Sequence, residues 1–506
     1  MWTSGLLVAT FICLLVVRFV TLLWARRRFP PGPIPIPFIG SLWRVGWKIR
    51  QDTLMKLAKS YGDVFTLWIG HFPVVVLTGF KNVKEGLMDN YERLSGRPMM
   101  PFFKLLGNKN GVMFANGKTW KDQKHFGQAT IQTLVQMQKD LQHQINEEAN
   151  LLVKTFAREN GQPLDPSLAL LRSASKVICT AAFGHDAPIE DEALCKLTEH
   201  ISTVTKFRGS FGEMIYNFFP LLMQHIPGPH KTVFSSCEFI RSFIKKEVEN
   251  HKKKAVADRE PQNFIDFYLA QINREKVDSS TTFNEDNLIQ VIADLFAAGT
   301  ETIAVTLSWG LLFMVTHPDI QEKVQKELQT TLDPSKWISY DDRKKLHYTN
   351  AVIHEIQRFS NIVLFGLPRL CLQDLNIFGH FIPKDTLVVA DLCSVLLDPK
   401  QWETPEQFNP NHFLDKHGKY TAREEFYTYG TGCRACLGKQ LAQSELFIFF
   451  ACLMKAFTFR WPEGVKETDV QPIMGPVVQP SPFKICAVPH QAAVQQRPTK
   501  DNSKNA

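Results

Sequence analysis

The sequence predicts a mainly α-helical protein with small β-sheets, preceded by one membrane-spanning helix. Three observations lead to this fold class: an apolar run over residues 2–25, helical patterning from 80 to 320, and short β-rich stretches on either side. With 44% apolar and 21% charged residues, the composition excludes disordered and collagen-like chains. A mean hydropathy of -0.14 excludes a polytopic membrane protein but allows one anchor.

The apolar run at 2–25 is close to the roughly 20 residues that cross a bilayer. Arg18 interrupts the run, and an arginine triplet at 26–28 follows it at once. Because positive charges stay on the cytosolic side, we expect residues 1–25 to anchor a chain whose bulk faces the cytosol. A buried helix is the alternative interpretation.

A basic, proline-rich segment follows at 26–40, and its prolines make it stiff and unable to continue a helix. We expect a hinge that holds the globular part at a fixed angle to the membrane, although a plain linker has the same composition. Residues 41–490 then form one large domain, because no Gly- and Ser-rich boundary divides them. The polar tail at 491–506 is expected to be disordered.

Within this domain, residues 61–79 are β-rich and partly alternating and predict a hairpin or a small sheet, and 386–391 and 483–488 predict further strands. A helix is predicted at 439–457, directly after a Gly- and Cys-containing segment.

A long helix is predicted from near Asn284 to Thr316, since a capping residue and acids open it and a His-Pro pair closes it. At 1.5 Å per residue it would span about 48 Å, enough to cross the domain. Gly299 lies in its interior, where glycine costs about 1 kcal/mol relative to alanine. We attribute this glycine to the close approach of a flat ligand or to a local opening of the helix.

The distribution of charge and the spacing of the cysteines argue against nucleic-acid binding, a zinc ribbon and a redox motif. The net charge is +8, but Lys and Arg are interspersed with acids, so no nucleic-acid partner is expected. Of ten cysteines only Cys433 and Cys436 are close together, without the second pair of a zinc ribbon or the βαβ setting of a redox motif. We expect the cysteines to be reduced.

The segment 429–438 reads Tyr-Gly-Thr-Gly-Cys-Arg-Ala-Cys-Leu-Gly and carries the strongest chemical signal. Cys436 lies just before a predicted helix, whose N-terminal amides favour a thiolate, a soft ligand for iron. A dinucleotide-binding fingerprint is disfavoured, because no strand precedes the glycines and no acid follows about 20 residues later. A purely structural cysteine would leave the flanking Gly-x-Arg unexplained.

This segment resembles the haem-binding loop of cytochromes P450, F-x-x-G-x-R-x-C-x-G. The matching positions are Gly432, Arg434, Cys436 and Gly438. The resemblance implies a cytochrome P450 fold over 41–490 and a haem b cofactor whose iron is bound by the Cys436 thiolate. Tyr429 stands where the family usually has Phe, and Cys433 is out of register and is interpreted as a bystander.

A second match lies in the long helix, where 298–302 reads Ala-Gly-Thr-Glu-Thr and fits the family's A/G-G-x-D/E-T. The resemblance implies that Thr302 and Glu301 are the catalytic pair that supplies protons for dioxygen cleavage. Ile303 stands where the family commonly has Thr or Ser, so one hydroxyl next to this proton-supplying pair is lost. A threonine that merely bonds back to its own helix is the alternative.

A third match is Glu355-x-x-Arg358, which would otherwise be an ordinary surface pair on one helix face. The resemblance implies a buried network with the segment 405–413, in which His412 stands at the third corner. We expect this network to support the fold rather than the chemistry.

The resemblance also assigns the surroundings of the cofactor and substrate. Haem contacts are implied for Trp120, Lys124, Arg369, Arg434, Gly432, Gly438 and Ala298. Lys124 replaces the family's Arg and lacks its planar fork, so His125 could share its role at a propionate. The substrate pocket is implied at Phe102, Phe103, Phe114, Phe207, Phe296, Ala297, Val363, Leu364, Phe365 and Met474. Arg208 and Lys206 are candidate cations for a fatty-acid carboxylate.

Further local matches make the chain most similar to microsomal P450 family 2, subfamily J. That branch implies a monooxygenase of polyunsaturated fatty acids such as arachidonate, and of xenobiotics, at the cytosolic face of the endoplasmic reticulum. Electrons would come from NADPH through a flavoprotein reductase, with cytochrome b5 as a further candidate donor. The basic face expected to receive the reductase comprises Lys118, Lys121, Lys124 and Lys439, and an ordinary solvated face is the alternative.

Two other function classes stay open. A haem-thiolate isomerase or dehydratase of lipid peroxides needs neither oxygen nor a reductase, but such enzymes often lose the acid–threonine pair retained at Glu301 and Thr302. A non-catalytic haem-binding sensor would not couple NADPH consumption to a product.

Overall fold

The computed structural model describes residues 2–46, 51–107, 109–137, 141–184, 190–254, 260–465 and 470–490. The described chain is mainly helical with small sheets, as predicted. The helices are α1 Trp2–Arg26, α2 Leu42–Val45, α3 Gln51–Tyr61, α4 Phe80–Lys84, α5 Pro101–Gly107, α6 Gly117–Gln136, α7 Leu141–Ala157, α8 Ser167–Phe183, α9 Asp191–Phe207, α10 Phe211–Phe218, α11 Pro220–Met223, α12 Pro229–Lys254, α13 Phe264–Arg274, α14 Glu285–Thr316, α15 Pro318–Thr331, α16 His347–Ser360, α17 Cys393–Leu396 and α18 Lys439–Ala456. Single helical turns lie at Glu85–Asp89, Tyr340–Lys344, Pro410–Phe413 and Gly432–Arg434. The tail predicted to be disordered, 491–506, lies outside the described residues.

The strands form four small sheets. They are β1 Val64–Ile69, β2 Phe72–Leu77, β3 Pro163–Leu164, β4 Arg369–Leu370, β5 Leu375–Ile377, β6 His380–Ile382, β7 Leu387–Ala390, β8 Phe457–Arg460, β9 Pro472–Ile473, β10 Gln479–Pro480 and β11 Ile485–Pro489. The largest sheet has the order β1-β2-β7-β4, and its β1–β2 hairpin pairs Val64 with Leu77. The hairpin predicted at 61–79 and the strands predicted at 386–391 and 483–488 are confirmed.

The predicted long helix is α14, which contributes to the main hydrophobic core together with α7, α8 and α18. The Asn284 side chain caps it by accepting a hydrogen bond from the Asn287 N–H at 2.9 Å. Glu285 and Asp286 occupy the first turn, where the helix dipole favours acids, and His317 ends the helix. Both predicted ends of α14 are confirmed.

Gly299 has a role that the sequence did not predict. A Cβ atom at this position would lie 2.5 Å from the Ile178 Cδ1 atom of α8. The glycine therefore lets α14 pack closely against α8, because a side chain would hold the two helices apart. The helix is continuous across this position, so the expected local opening is wrong, whereas the close approach of a flat ligand stays a prediction.

The apolar side chains of α1 are mostly exposed, and the length and composition of this helix make it a candidate membrane anchor. Helix α14 meets the same criteria but is largely buried in the core. The proline-rich segment after α1 is attached to the sheet, since the Thr66 N–H donates to the Pro31 carbonyl at 2.8 Å. Arg26 donates to the Gly32 carbonyl at 2.7 Å, and these two contacts fix how the chain leaves α1.

Candidate active site

The cysteine loop at 429–438 is held by its own backbone and by the turn Glu85–Asp89. The Cys436 N–H donates to the Tyr429 carbonyl at 2.9 Å. Gly432 has a φ of 71°, and a Cβ atom there would overlap the Leu87 carbonyl oxygen. Glycine is required at this position, because both the backbone conformation and the neighbouring carbonyl exclude a side chain.

The Cys436 sulfur lies just before α18 and remains accessible, although protein surrounds it on most sides. Burial raises the pKa of the Cys436 thiol. The Gly438 N–H, Lys124 and Lys439 oppose that rise in pKa. These groups prepare the sulfur to hold a negative charge when a metal cation balances it.

Lys124 reaches the loop from α6. Its ammonium donates hydrogen bonds to the carbonyl oxygens of Cys433 and Ala435, and burial lowers its pKa. The structure thus places Lys124 on the loop itself, and its contact with a propionate stays a prediction. His125, the alternative, is exposed. The Cys433 thiol donates to the Tyr91 carbonyl at 3.3 Å, which fits the bystander role.

Three guanidinium groups gather beside the loop: those of Arg97, Arg369 and Arg434. Burial and the charge of Arg369 lower the pKa of Arg434 to about 9, and burial lowers the pKa of Arg369 to about 10. Arg97 is only 5% exposed, and burial and the two neighbouring arginines lower its pKa as well. No described acid pairs with these cations, so they favour a bound anion.

Trp120, next to Arg434, is a second donor that would favour a bound anion. Arg434 donates to the carbonyls of Ser95, Val112 and Ala115, and its Cζ atom lies 3.8 Å from the centroid of the Trp120 ring. The Trp120 indole nitrogen is buried and has no described hydrogen-bond partner. A buried unpaired N–H costs about 1–3 kcal/mol, so an anionic oxygen at this point would stabilise it.

These groups fit the haem that the sequence implies. Among the described residues, no cluster of three or more His, Cys, Asp or Glu side chains could hold a bare metal ion. A single cysteine sulfur suits a metal whose other ligands come with the cofactor. The arginines and Trp120 suit its propionates, and a Cβ on Gly438 would meet no protein atom within 4 Å, so the backbone is open to a flat group.

Thr302 and Glu301 lie in the middle of α14 but have different partners. The Thr302 hydroxyl donates to the Ala298 carbonyl at 2.5 Å, which is the helix-internal bond considered as the alternative. Glu301 accepts a hydrogen bond from the Gln479 amide at 2.5 Å, and its other oxygen is buried without a described partner. Burial raises the pKa of Glu301, whereas Lys206 and the Gln479 hydrogen bond oppose the rise.

Glu355, Arg358 and His412 form a buried network at the end of α16. Arg358 donates two hydrogen bonds of 2.7 Å to Glu355 and three of 2.9 Å to carbonyl oxygens of the following segments. The Thr404 N–H donates to His412 Nε2 at 3.2 Å, so His412 carries its hydrogen on Nδ1, which lies 3.2 Å from Glu355. The arrangement joins α16 to the Pro410–Phe413 turn.

The predicted pocket residues separate into groups. Phe102, Phe103, Phe114 and Phe207 form one aromatic cluster with Tyr216 and Val233. Phe296 is fully buried and lies 5.6 Å, centroid to centroid, from Phe183, so it belongs to the core. The half-buried members are Ala297, Val363, Leu364, Phe365 and Met474. That these side chains line one pocket stays a prediction.

The sequence did not single out Arg97 and Gln479. Arg97 donates to the Leu367 and Pro368 carbonyls at 2.7 and 2.9 Å and so holds the chain that leads to Arg369. Nothing in the sequence separates Arg97 from surface arginines, and Gln479 meets Glu301 only through the fold.

The lysines of the predicted docking face do not form one free patch. Lys118 donates to the Ser280 carbonyl at 2.6 Å and lies 3.6 Å from Asp122. Lys121 and Lys439 are exposed, whereas the fourth lysine turns inward to the loop. Three of the four are therefore exposed, and the docking role of this face stays a prediction.

Known proteins resemble this chain over nearly its whole length. The family description "Cytochrome P450" matches residues 30–487. Cytochrome P450 2J5 of Mus musculus is 38% identical over 489 residues, which cover 96% of each chain. Cytochrome P450 2J2 of Homo sapiens is 37% identical over 487 residues, with the same coverage. Cytochrome P450 2C14 of Oryctolagus cuniculus is 34% identical over 468 residues, 92% of this chain and 95% of that protein.

Proposed function

This chain belongs to the cytochrome P450 family, and from that premise we propose that it oxidises polyunsaturated fatty acids and other apolar molecules at the endoplasmic reticulum membrane. As a P450 monooxygenase it uses a haem-thiolate cofactor and electrons that derive from NADPH. The observation that carries the proposal is an exposed Cys436 in the loop that also holds Arg434, one of three neighbouring arginines without a described acidic partner.

Cys436 would hold the iron, and the Gly438 N–H and Lys439 would stabilise its thiolate. Arg369 and Arg434 would bind the propionates, with Trp120 as an additional donor. When bound, the haem supplies the activation of dioxygen and the oxidation of a C–H or C=C bond. The loop's fixed shape would set the orientation of that group relative to α14.

Thr302 and Glu301 would handle the protons that dioxygen cleavage consumes. The Thr302 hydroxyl can rotate away from the Ala298 carbonyl to donate toward the cofactor side. Burial raises the pKa of Glu301, so it holds a proton nearer to neutral pH than an ordinary glutamate does. Gln479 would keep one Glu301 oxygen fixed and leave the other for proton transfer.

The similarity to subfamily J proteins and the aromatic cluster around Phe103 and Phe114 support an apolar, extended substrate. The exposed apolar surface of α1 supports attachment to the membrane, with the domain on the cytosolic side. Exposed Lys121 and Lys439 belong to the face that the resemblance assigns to the cysteine side, and they would receive an acidic flavoprotein reductase, with cytochrome b5 as a second donor.

The proposal is tested by reconstitution of the full chain in phosphatidylcholine vesicles with NADPH–cytochrome P450 reductase and arachidonate. We expect oxygenated products that require NADPH, the reductase and dioxygen and that disappear in Cys436→Ala. Conversion of a lipid hydroperoxide without NADPH, combined with no oxygenation of arachidonate, would instead favour the isomerase or dehydratase class.

A further inference from the structure

Arg208 carries a positive charge into the aromatic cluster. It follows α9 directly, and its Cζ atom lies 5.4 Å from the centroid of the Phe114 ring. The only described hydrogen-bond partner of its guanidinium is the weak acceptor Met113 Sδ, at 3.9 Å. Phe114 itself stacks on Phe103 with ring centroids 4.4 Å apart. The guanidinium thus lies against apolar rings rather than in a polar network.

Each of the three acids near Arg208 accepts a hydrogen bond from another group, although one Glu301 oxygen has no described partner. Asp294 accepts hydrogen bonds from two backbone N–H groups at 2.8 and 2.9 Å, and Glu213 accepts one at 2.5 Å. Glu301 accepts the Gln479 amide. None of these acids forms an ion pair with Arg208, although each influences its pKa, which burial lowers. A desolvated cation without a paired anion favours binding of an external anion.

The position of Arg208 relates it to the proton relay. Arg208 contacts Met113, whose N–H donates to Asp294 of α14, so the guanidinium lies near the helix that carries Glu301. The aromatic cluster that contains Phe114 and Phe207 lies beside the guanidinium. Lys206, the other candidate cation, also acts on Glu301, but it is exposed, so its charge stays solvated and needs no bound anion.

We propose that Arg208 binds the carboxylate of a long-chain fatty acid and thereby sets which carbons of the chain reach the reacting centre. The planar guanidinium can donate two parallel hydrogen bonds to a carboxylate, and the apolar surroundings strengthen them. The acyl chain then lies along the Phe103–Phe114 cluster. This inference deepens the function proposed above and rests on it.

The test compares arachidonic acid with its methyl ester, which has the same chain but no charge. Binding to the holoenzyme is measured by equilibrium dialysis and by the optical shift on titration. We expect the wild type to bind the acid about 10- to 100-fold more tightly than the ester. Arg208→Met keeps most of the packing and should abolish this preference, and Arg208→Gln gives an independent check. Lys206→Gln is the matched control and should leave the preference unchanged.

Equal affinity of the wild type for acid and ester would overturn the inference without any variant. The inference would also be overturned if the preference for the acid over the ester survived in Arg208→Met or disappeared in Lys206→Gln. Product analysis gives a second readout: with acid, Arg208→Met should spread the oxidised positions toward the pattern that the wild type produces from the ester. If neither lipid is oxidised, the proposed function fails, whereas the dialysis result still decides the role of Arg208.

Discussion

The substitution Gly432→Ala tests how strictly the cysteine loop is held. With a φ of 71°, alanine at this position costs about 1–2 kcal/mol for the left-handed conformation. Its Cβ would also overlap the Leu87 carbonyl, a backbone group that cannot rotate away, and such overpacking costs about 1–3 kcal/mol more. We expect a total loss of about 2–5 kcal/mol in the free energy of unfolding.

The matched control is Gly430→Ala, because Gly430 has a φ of 65° but a Cβ there would meet no atom within 4 Å. Gly430→Ala should therefore lose only the roughly 1–2 kcal/mol of stability that the left-handed backbone conformation costs. Thermal unfolding followed by circular dichroism, with haem retention followed by absorbance, measures both variants. Equal destabilisation of the two variants would refute the role assigned to the Leu87 contact. Wild-type stability of Gly432→Ala would also refute the cost assigned to the left-handed backbone conformation.

Three further predictions follow from the site. Arg358→Gln removes the cation of the buried pair and leaves the Glu355 carboxylate without it, so the free energy of unfolding should fall by about 3–5 kcal/mol, measured by urea denaturation; near-wild-type stability would contradict the network. Thr302→Val should lower the product formed per NADPH at least about tenfold, and unchanged coupling would remove the hydroxyl from the relay. Gln479→Val removes a hydrogen bond that lowers the pKa of Glu301, so that pKa should rise. Because Glu301 supplies protons from its protonated form, the basic limb of the pH–rate profile should move to higher pH, and a shift to lower pH would contradict the assignment.

Features set by contiguous residues could be predicted from the sequence. The ends of α14 follow from a capping asparagine, two acids and a His-Pro pair, all of which act within one helical turn. The β1–β2 hairpin follows from a β-rich, partly alternating stretch, and the cofactor of the cysteine loop is implied by the resemblance of residues 429–438 to the haem-binding loop of cytochromes P450. Each signal depends on neighbours along the chain.

Features set by contacts between distant segments could not be predicted. The close packing of Gly299 against Ile178 could not be predicted, because Ile178 lies on another helix. Lys124 turns to the loop carbonyls because the loop folds back over α6. Arg97 and Gln479 gain their importance only from partners brought close by folding, so no local pattern distinguishes them.

The central claim is that Cys436 holds the haem iron, and the optical spectrum of the dithionite-reduced protein with carbon monoxide tests it most directly. We predict a strongly red-shifted Soret band in the wild type and in Cys433→Ala, because the Cys433 thiol is engaged with the Tyr91 carbonyl. The band should be absent in Cys436→Ala. A band at the ordinary imidazole-type position in the wild type, or a red-shifted band that survives in Cys436→Ala, would contradict the assignment.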